Sequence, residues 1–204
     1  YVQPLVNGDQ YSFEVKSGVP SVEAKKGTKS ARGANFTCLL SGSPIDKKHI
    51  KRAVQGGELS EKLMALVMEG KMGRVYLAPN RDHEEIISEC KPDFIPSQKI
   101  EGSSQYLGCK GYGMDTFDSL FTSRQLVALN MFSALVQEAR SKAIEDAKAS
   151  GLVDDGLGID EDGKGATAYG DALAVYLCFV SDKVSDYWSS ICSWHSSGEK
   201  MRNT

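Results

Sequence analysis

Three stretches of this sequence hold side chains whose types and spacing bear on ion or phosphate binding. The first is Phe36-Thr37-Cys38-Leu39-Leu40-Ser41-Gly42-Ser43-Pro44-Ile45. Its outline is that of a zinc-ribbon knuckle, in which Cys-x-x-Cys-Gly turns two thiolates toward one tetrahedral ion. Ser41 stands where the second thiolate would be, a neutral hydroxyl is a poor zinc ligand, and no second cysteine pair exists in the chain. A knuckle-like turn without metal is expected. The second is Gly108-Cys109-Lys110-Gly111-Tyr112-Gly113, which has the glycines of a phosphate loop. No apolar strand leads into it and no sheet-packed helix follows, so it reads as a glycine-rich turn. The third is the acidic run from Asp154 through Asp162 to Gly165. Lys164 occupies what should be an oxygen position of a calcium loop, and no Glu follows at the required distance, so a solvated loop is expected.

Covalent chemistry is poorly represented. His49, His83 and His195 lie far apart with no evident Ser or Asp partners, which makes an independent enzyme the weakest reading. The five cysteines are an odd number without a CxxC pair, which points to reduced, structural thiols. What remains is cationic. Lys47-Lys48-His49-Ile50-Lys51-Arg52 places four cations in six residues behind a capping Asp46. In a nucleic-acid enzyme these would contact the backbone; otherwise they are a solvated helix face. Ser17 to Asn35 has no periodicity and gathers Lys25, Lys26, Lys29 and Arg32, either as a linker or as a phosphate-contacting arm. Residues 1 to 76 carry 12 Lys and Arg against 7 Asp and Glu, a net of +5, while residues 77 to 204 carry 12 against 20, a net of −8. The basic half is the better candidate for touching phosphate.

The elements that must position these residues are those of one substantial core or two small ones, since 204 residues with 41% hydrophobic and 25% charged side chains are ordinary globular material. Val2 to Leu5 and Tyr11 to Val15 form a hairpin around Asn7-Gly8-Asp9. A second hairpin joins Leu63 to Met68 with Arg74 to Leu77 across Gly70 and Gly73. Asn80 or Asp82 caps a short helix reaching Ile87 to Cys90, and Lys91 to Tyr112 is irregular. A long helix from Ser123 to about Ala149 starts at Thr122 or Ser123, with Leu126, Leu129, Val136, Ala139, Ala143 and Ala147 as its core stripe and Phe132 and Leu135 beside it. A second begins at Ala166, and Tyr169, Leu173, Tyr176, Val180, Val184, Tyr187 and Ile191 recur as a stripe facing a core. A polar tail, Trp194 to Thr204, follows. The fold class is α+β: N-terminal β-hairpins and a zinc-ribbon-like knuckle without metal, then a C-terminal pair of long antiparallel helices. The domains are a β-rich basic region, 1 to 112, and a helical region, 113 to 204. No apolar run approaches the roughly 18 to 20 residues of a membrane span and no signal peptide precedes the first strand, so no membrane contact and a cytoplasmic location are expected. The start at Tyr1 and the unclosed tail suggest a piece excised from a larger polypeptide.

Several ordered blocks resemble one family. They are Phe36 to Gly42, Gly73-Arg74-Val75-Tyr76-Leu77, Asp118 to Leu129, Gly165-Ala166-Thr167-Ala168-Tyr169 and, above all, Trp194-His195-Ser196-Ser197-Gly198-Glu199-Lys200-Met201-Arg202-Asn203-Thr204. Together they look like the large adenine-specific DNA methylases that often carry a zinc ribbon, over the length of the chain. In that family the S-adenosylmethionine motif lies before this region and the catalytic Asp/Asn-Pro-Pro-Tyr motif after it. No two of the six prolines here are adjacent. The resemblance implies a segment between the two motifs, inactive alone, with no cofactor of its own and S-adenosylmethionine bound by the parent methyltransferase. For the parent it implies methyl transfer to adenine after the base is extruded from the duplex. The segment's partners would be DNA, through the parent, and the rest of the methyltransferase chain. Lys200 and Arg202 would contact phosphate, Asn203 would hydrogen-bond a base edge or the backbone, Trp194 or His195 would stack, wedge, or pack the tail on the catalytic domain, and Ser196 and Ser197 are further DNA-contact candidates. Lys47, Lys48, Lys51 and Arg52 complete the DNA-contact candidates. The alternative is a protein-interaction module that docks a partner subunit through the acidic half and an exposed apolar face of the helical pair, without DNA contact.

Overall fold

The computed structural model describes residues 1–203; Thr204, the last residue of the expected tail, lies outside them. The fold is α+β, and its chain divides into two compact units, Tyr1–Cys90 with Gln98–Ser119, and Lys91–Ser97 with the chain from Leu120 onward.

In the first unit, β1 (Val2–Asn7) and β2 (Gln10–Val15) form an antiparallel hairpin in which Leu5 faces Ser12 and Asn7 faces Gln10. The chain between Ser17 and Asn35 is not wholly irregular: Ser21 caps a five-residue helix α1 (Val22–Lys26). β3 (Phe36–Thr37) and β4 (Pro44–Ile45) close the knuckle, with Gly42 at φ +71° at its turn. α2 (Lys47–Gln55) follows and stops at Gly56. β5 (Leu66–Gly70) and β6 (Gly73–Leu77) pair across a two-residue turn, and α3 (Arg81–Ser88) starts at Asn80, whose side chain and His83 cap each other's backbone. A 3-10 turn, Gly108–Tyr112, packs on α2. The core is small, and its buried apolar side chains are Ala34, Ala53 and Ile100.

The second unit rests on α4 (Ser123–Ala149) and α5 (Ala166–Ser185), which pack along their length. Thr122 and Gln125 form a reciprocal capping box at the start of α4. Of the stripe expected on α4, Leu126 and Val136 are buried and Leu129, Ala139, Ala143 and Ala147 half-buried, with Phe132 and Leu135 exposed beside it; the α4 residues that meet Gly170 and Asp171 of α5 are Ile144 and Arg140. For α5 the expectation is overturned. Its buried positions are the small ones, Ala166, Ala168, Gly170 and Ala174, whereas Tyr169, Tyr176 and Val180 are 56%, 71% and 59% exposed. The reason is contact distance: a Cβ on Gly170 would overlap the Ile144 side chain and sit 3.1 Å from the Arg140 carbonyl oxygen. Small residues bring the two backbones together, and the bulky stripe is turned away. The helix also ends at Ser185, so Tyr187 and Ile191 lie beyond it.

The acidic loop joining the helices is also not a freely solvated one. Gly165 offers no side chain to cap α5, and Asp154 does so from eleven residues upstream: its carboxylate accepts from Thr167 N at 2.9 Å and Thr167 Oγ1 at 3.0 Å. Lys148 lies 2.7 Å from the same carboxylate. Asp155 accepts from the amides of Lys164 and Leu157, and Asp171 from Arg140 and from the amide of Ile159. Lys148 first, then the Thr167 amide, hold Asp154 far below the usual carboxylate range; the Lys164 amide does most to lower Asp155, and Arg140 most to lower Asp171. Among the described residues no helix is long and apolar enough to cross a membrane.

Candidate nucleic-acid interface

The basic face of the first unit is built on α2. The Asp46 carboxylate accepts from His49 N at 2.7 Å and so fixes the first turn. Ala53 is buried and Ile50 half-buried, which anchors one side, and Lys47, Lys48, Lys51 and Arg52 are all exposed. Against this helix lies the glycine-rich turn. Gly113 has φ +92°, and a Cβ there would come 2.9 Å from the Lys51 carbonyl oxygen, so conformation and close approach both require glycine. Lys47 Nζ lies over Gly111, 3.7 Å from where its Cβ would be.

The same turn carries a cation from the basic loop. Lys29 Nζ donates to Tyr112 Oη at 3.4 Å and stands 5.9 Å from the centre of the Phe36 ring. Lys29 and Lys47, eighteen residues apart in the chain, therefore flank one glycine turn, Lys29 at Tyr112 and Lys47 at Gly111. Lys110 is turned inward instead, donating to the carbonyls of Ile100 and Gly102. Sequence reasoning finds the α2 cations but not Tyr112 or its link to Lys29, because 83 residues separate the pair and neither lies in a periodic stretch. Among the described residues, none of Lys29, Lys47, Lys48, Lys51 and Arg52 makes an ion pair, although Lys16, Lys62 and Arg81 in the same unit each hold a glutamate.

The knuckle keeps its outline. Gly42 N donates to the Cys38 carbonyl and Cys38 N to that of Ser43. The Ser41 hydroxyl, followed by the amides of Ser41 and Leu40, lowers the Cys38 thiol from its ordinary value.

The tail of the second unit is not extended. β7 (Ser193–His195) and β8 (Lys200–Arg202) form a short antiparallel hairpin with Trp194 opposite Met201 and His195 opposite Lys200. Three-residue strands are too short to show alternation, so the sequence gives no sign of it. The register matters chemically, because alternate residues of a strand point to opposite faces. Lys200 and Arg202 share a face with Ser193 and His195, and Arg202 Nε donates to Ser193 Oγ at 3.3 Å. Trp194 and Met201 are on the other face. Ser196 and Ser197 sit exposed in the turn, where Ser197 Oγ is 3.4 Å from His195 Nε2, and Asn203 is exposed beyond β8. His195 Nδ1 is buried without a hydrogen-bond partner. The candidates from the sequence thus fall into two groups, one in each unit.

No family model, curated protein or solved structure matches this chain. Among the described residues, no group of His, Cys, Asp and Glu side chains is arranged to hold a metal ion.

Proposed function

We propose that this chain is a non-catalytic segment of an S-adenosylmethionine-dependent, adenine-specific DNA methyltransferase, lying between the cofactor-binding and catalytic motifs, and that its first unit grips the DNA backbone. The observation that carries the DNA contact is the exposed, unpaired set of α2 cations, continued by Lys29 and Lys47 around the glycine turn. Surface cations that hold no carboxylate are available to neutralise phosphate, and exchange of their counterions for a polyanion drives association. The methyltransferase assignment draws on the ordered blocks that resemble that family, from Phe36 to Gly42 through Trp194 to Asn203. An enzyme that extrudes a base needs surfaces outside its catalytic pocket to hold the distorted duplex, and a helix of four cations with a neighbouring tyrosine suits that task. No residue of the segment binds S-adenosylmethionine in this reading, and the site of action is the cytoplasm, where a DNA-modifying enzyme without a membrane span meets its substrate.

Binding of the full 204-residue chain to a mixed-sequence duplex, followed over a series of salt concentrations, tests this. Binding should weaken with a log-log slope of about −0.9 for each phosphate neutralised. Lys48→Ala with Lys51→Ala should lower the magnitude of that slope by about 2, because both side chains are exposed and hold no partner. Lys200→Ala with Arg202→Ala reports on the tail hairpin in the same assay. No binding at low salt, or a slope that the α2 variant leaves unchanged, overturns the assignment of α2 to DNA.

A further inference from the structure

A helix that is apolar on most of its circumference is ordinarily buried on more than one side. α5 meets α4 along one side and the short 3-10 turn Ile159–Glu161 near its start, and its outer face has no such cover among the described residues. Its small residues meet α4, while Tyr169, Tyr176, Phe179 and Val180, exposed by 56%, 71%, 63% and 59%, run along the outer surface. Below them Val184, Tyr187 and Trp188 continue the line and, with Tyr176, Phe179, Val180 and the one charged residue Lys183, shape a shallow, mostly apolar groove of about 540 Å³. Scattered apolar side chains on a surface mean little, but a continuous helical row of aromatic and branched residues marks an interaction surface.

The charges beside this row indicate what covers it. Phe179 also borders a second groove, which holds Asp160, Glu161, Asp171 and Asp182. The cations nearby are already used: Arg140 is held by Asp171 at 2.5 Å and Lys183 by Asp186 at 2.8 Å. Asp160, Glu161 and Asp182 hold no cation among the described residues. The border of the row on the Phe179 side is therefore anionic, while Lys183, already paired with Asp186, lies in the apolar groove 5.4 Å from the centre of the Tyr187 ring.

We propose that the outer face of α5 docks an amphipathic protein helix whose apolar stripe is bordered by Lys and Arg. The helix supplies the apolar contact that Tyr176, Phe179 and Val180 lack, and its basic border meets Asp160, Glu161 and Asp182. A second copy of this face would set those carboxylates against their own counterparts, and an anionic lipid surface would be repelled by them. The inference concerns the second unit alone and does not depend on DNA binding by the first.

The test uses the full chain and two labelled 18-residue helical probes with the same leucine stripe, one bordered by lysines and one by glutamates, with binding read by fluorescence anisotropy. The lysine-bordered probe should bind and the glutamate-bordered probe should not. Phe179→Ser, an exposed position that the α4 contact does not use, should weaken binding about tenfold. Asp182→Lys should weaken the lysine-bordered probe about threefold and improve the glutamate-bordered one. Equal binding of the two probes, no binding of either, or self-association in sedimentation velocity that Phe179→Ser abolishes would each overturn the proposal. Unchanged far-ultraviolet circular dichroism of both variants separates lost docking from lost fold.

Discussion

Cys38 illustrates how one hydroxyl alters a neighbour. The Ser41 side chain and the amides of Ser41 and Leu40 favour the thiolate, which is the reactive form. Cys192 Sγ also has a hydroxyl neighbour, lying 3.2 Å from Ser189 Oγ and from the Asp186 carbonyl oxygen. Iodoacetamide at pH about 8 should therefore label Cys38 ahead of Cys90 and Cys109, as peptide mapping by mass spectrometry would show, and Ser41→Ala should slow that labelling severalfold. Labelling of Cys38 at the rate of the others would mean that Ser41 does not act on the thiol.

At the scale of elements, the α4–α5 pair reverses the usual relation between hydrophobicity and burial. Gly170 meets Ile144 and the Arg140 carbonyl, so a larger side chain has nowhere to go. Gly170→Val should destabilise the protein by about 2 to 3 kcal/mol through overpacking, read as a lower thermal midpoint. Tyr176→Ser, on the exposed row, should change stability by no more than about 0.5 kcal/mol. The opposite ranking would return the bulky stripe to the core. Local signals of the elements were legible: Asp46 caps α2 as expected, Asn80 rather than Asp82 and Thr122 rather than Ser123 are the caps at the two starts that the sequence leaves open, and Gly70 and Gly73 bracket the turn of the second hairpin. The face of α5 was not, because a periodicity argument ranks Tyr and Val above Ala and Gly and cannot see that the partner helix leaves room only for small side chains. Nor was the wiring of the acidic loop, since Asp154 finds Thr167 thirteen residues away and composition alone says only that the loop is polar. For the candidate interface the split is similar. The α2 cations stand together in the chain and were read there, while Lys29 and Tyr112 meet only through the fold.

For the whole molecule, acid is the revealing variable. Asp154, Asp155 and Asp171 all belong to the second unit, and each has a lower pKa in the folded chain than the roughly 3.9 of an unfolded aspartate. Groups of this kind contribute stability that is fully present above about pH 4 and is lost as pH falls through their folded values. Asp154→Asn keeps the side-chain shape but gives up the charge that holds Lys148 and the Thr167 amide. It should lower the midpoint of the second unit at pH 7 and flatten its acid dependence, whereas an acid profile unchanged by the substitution would assign the loss to other groups. Both tryptophans of the chain, Trp188 and Trp194, lie in this same unit, and the Trp188 ring packs 5.5 Å from that of Phe132 on α4. Intrinsic emission excited at about 295 nm is consequently blind to the basic unit, so the natural sequence already carries a reporter that follows the helical half through heat, acid or a docking partner without any added label.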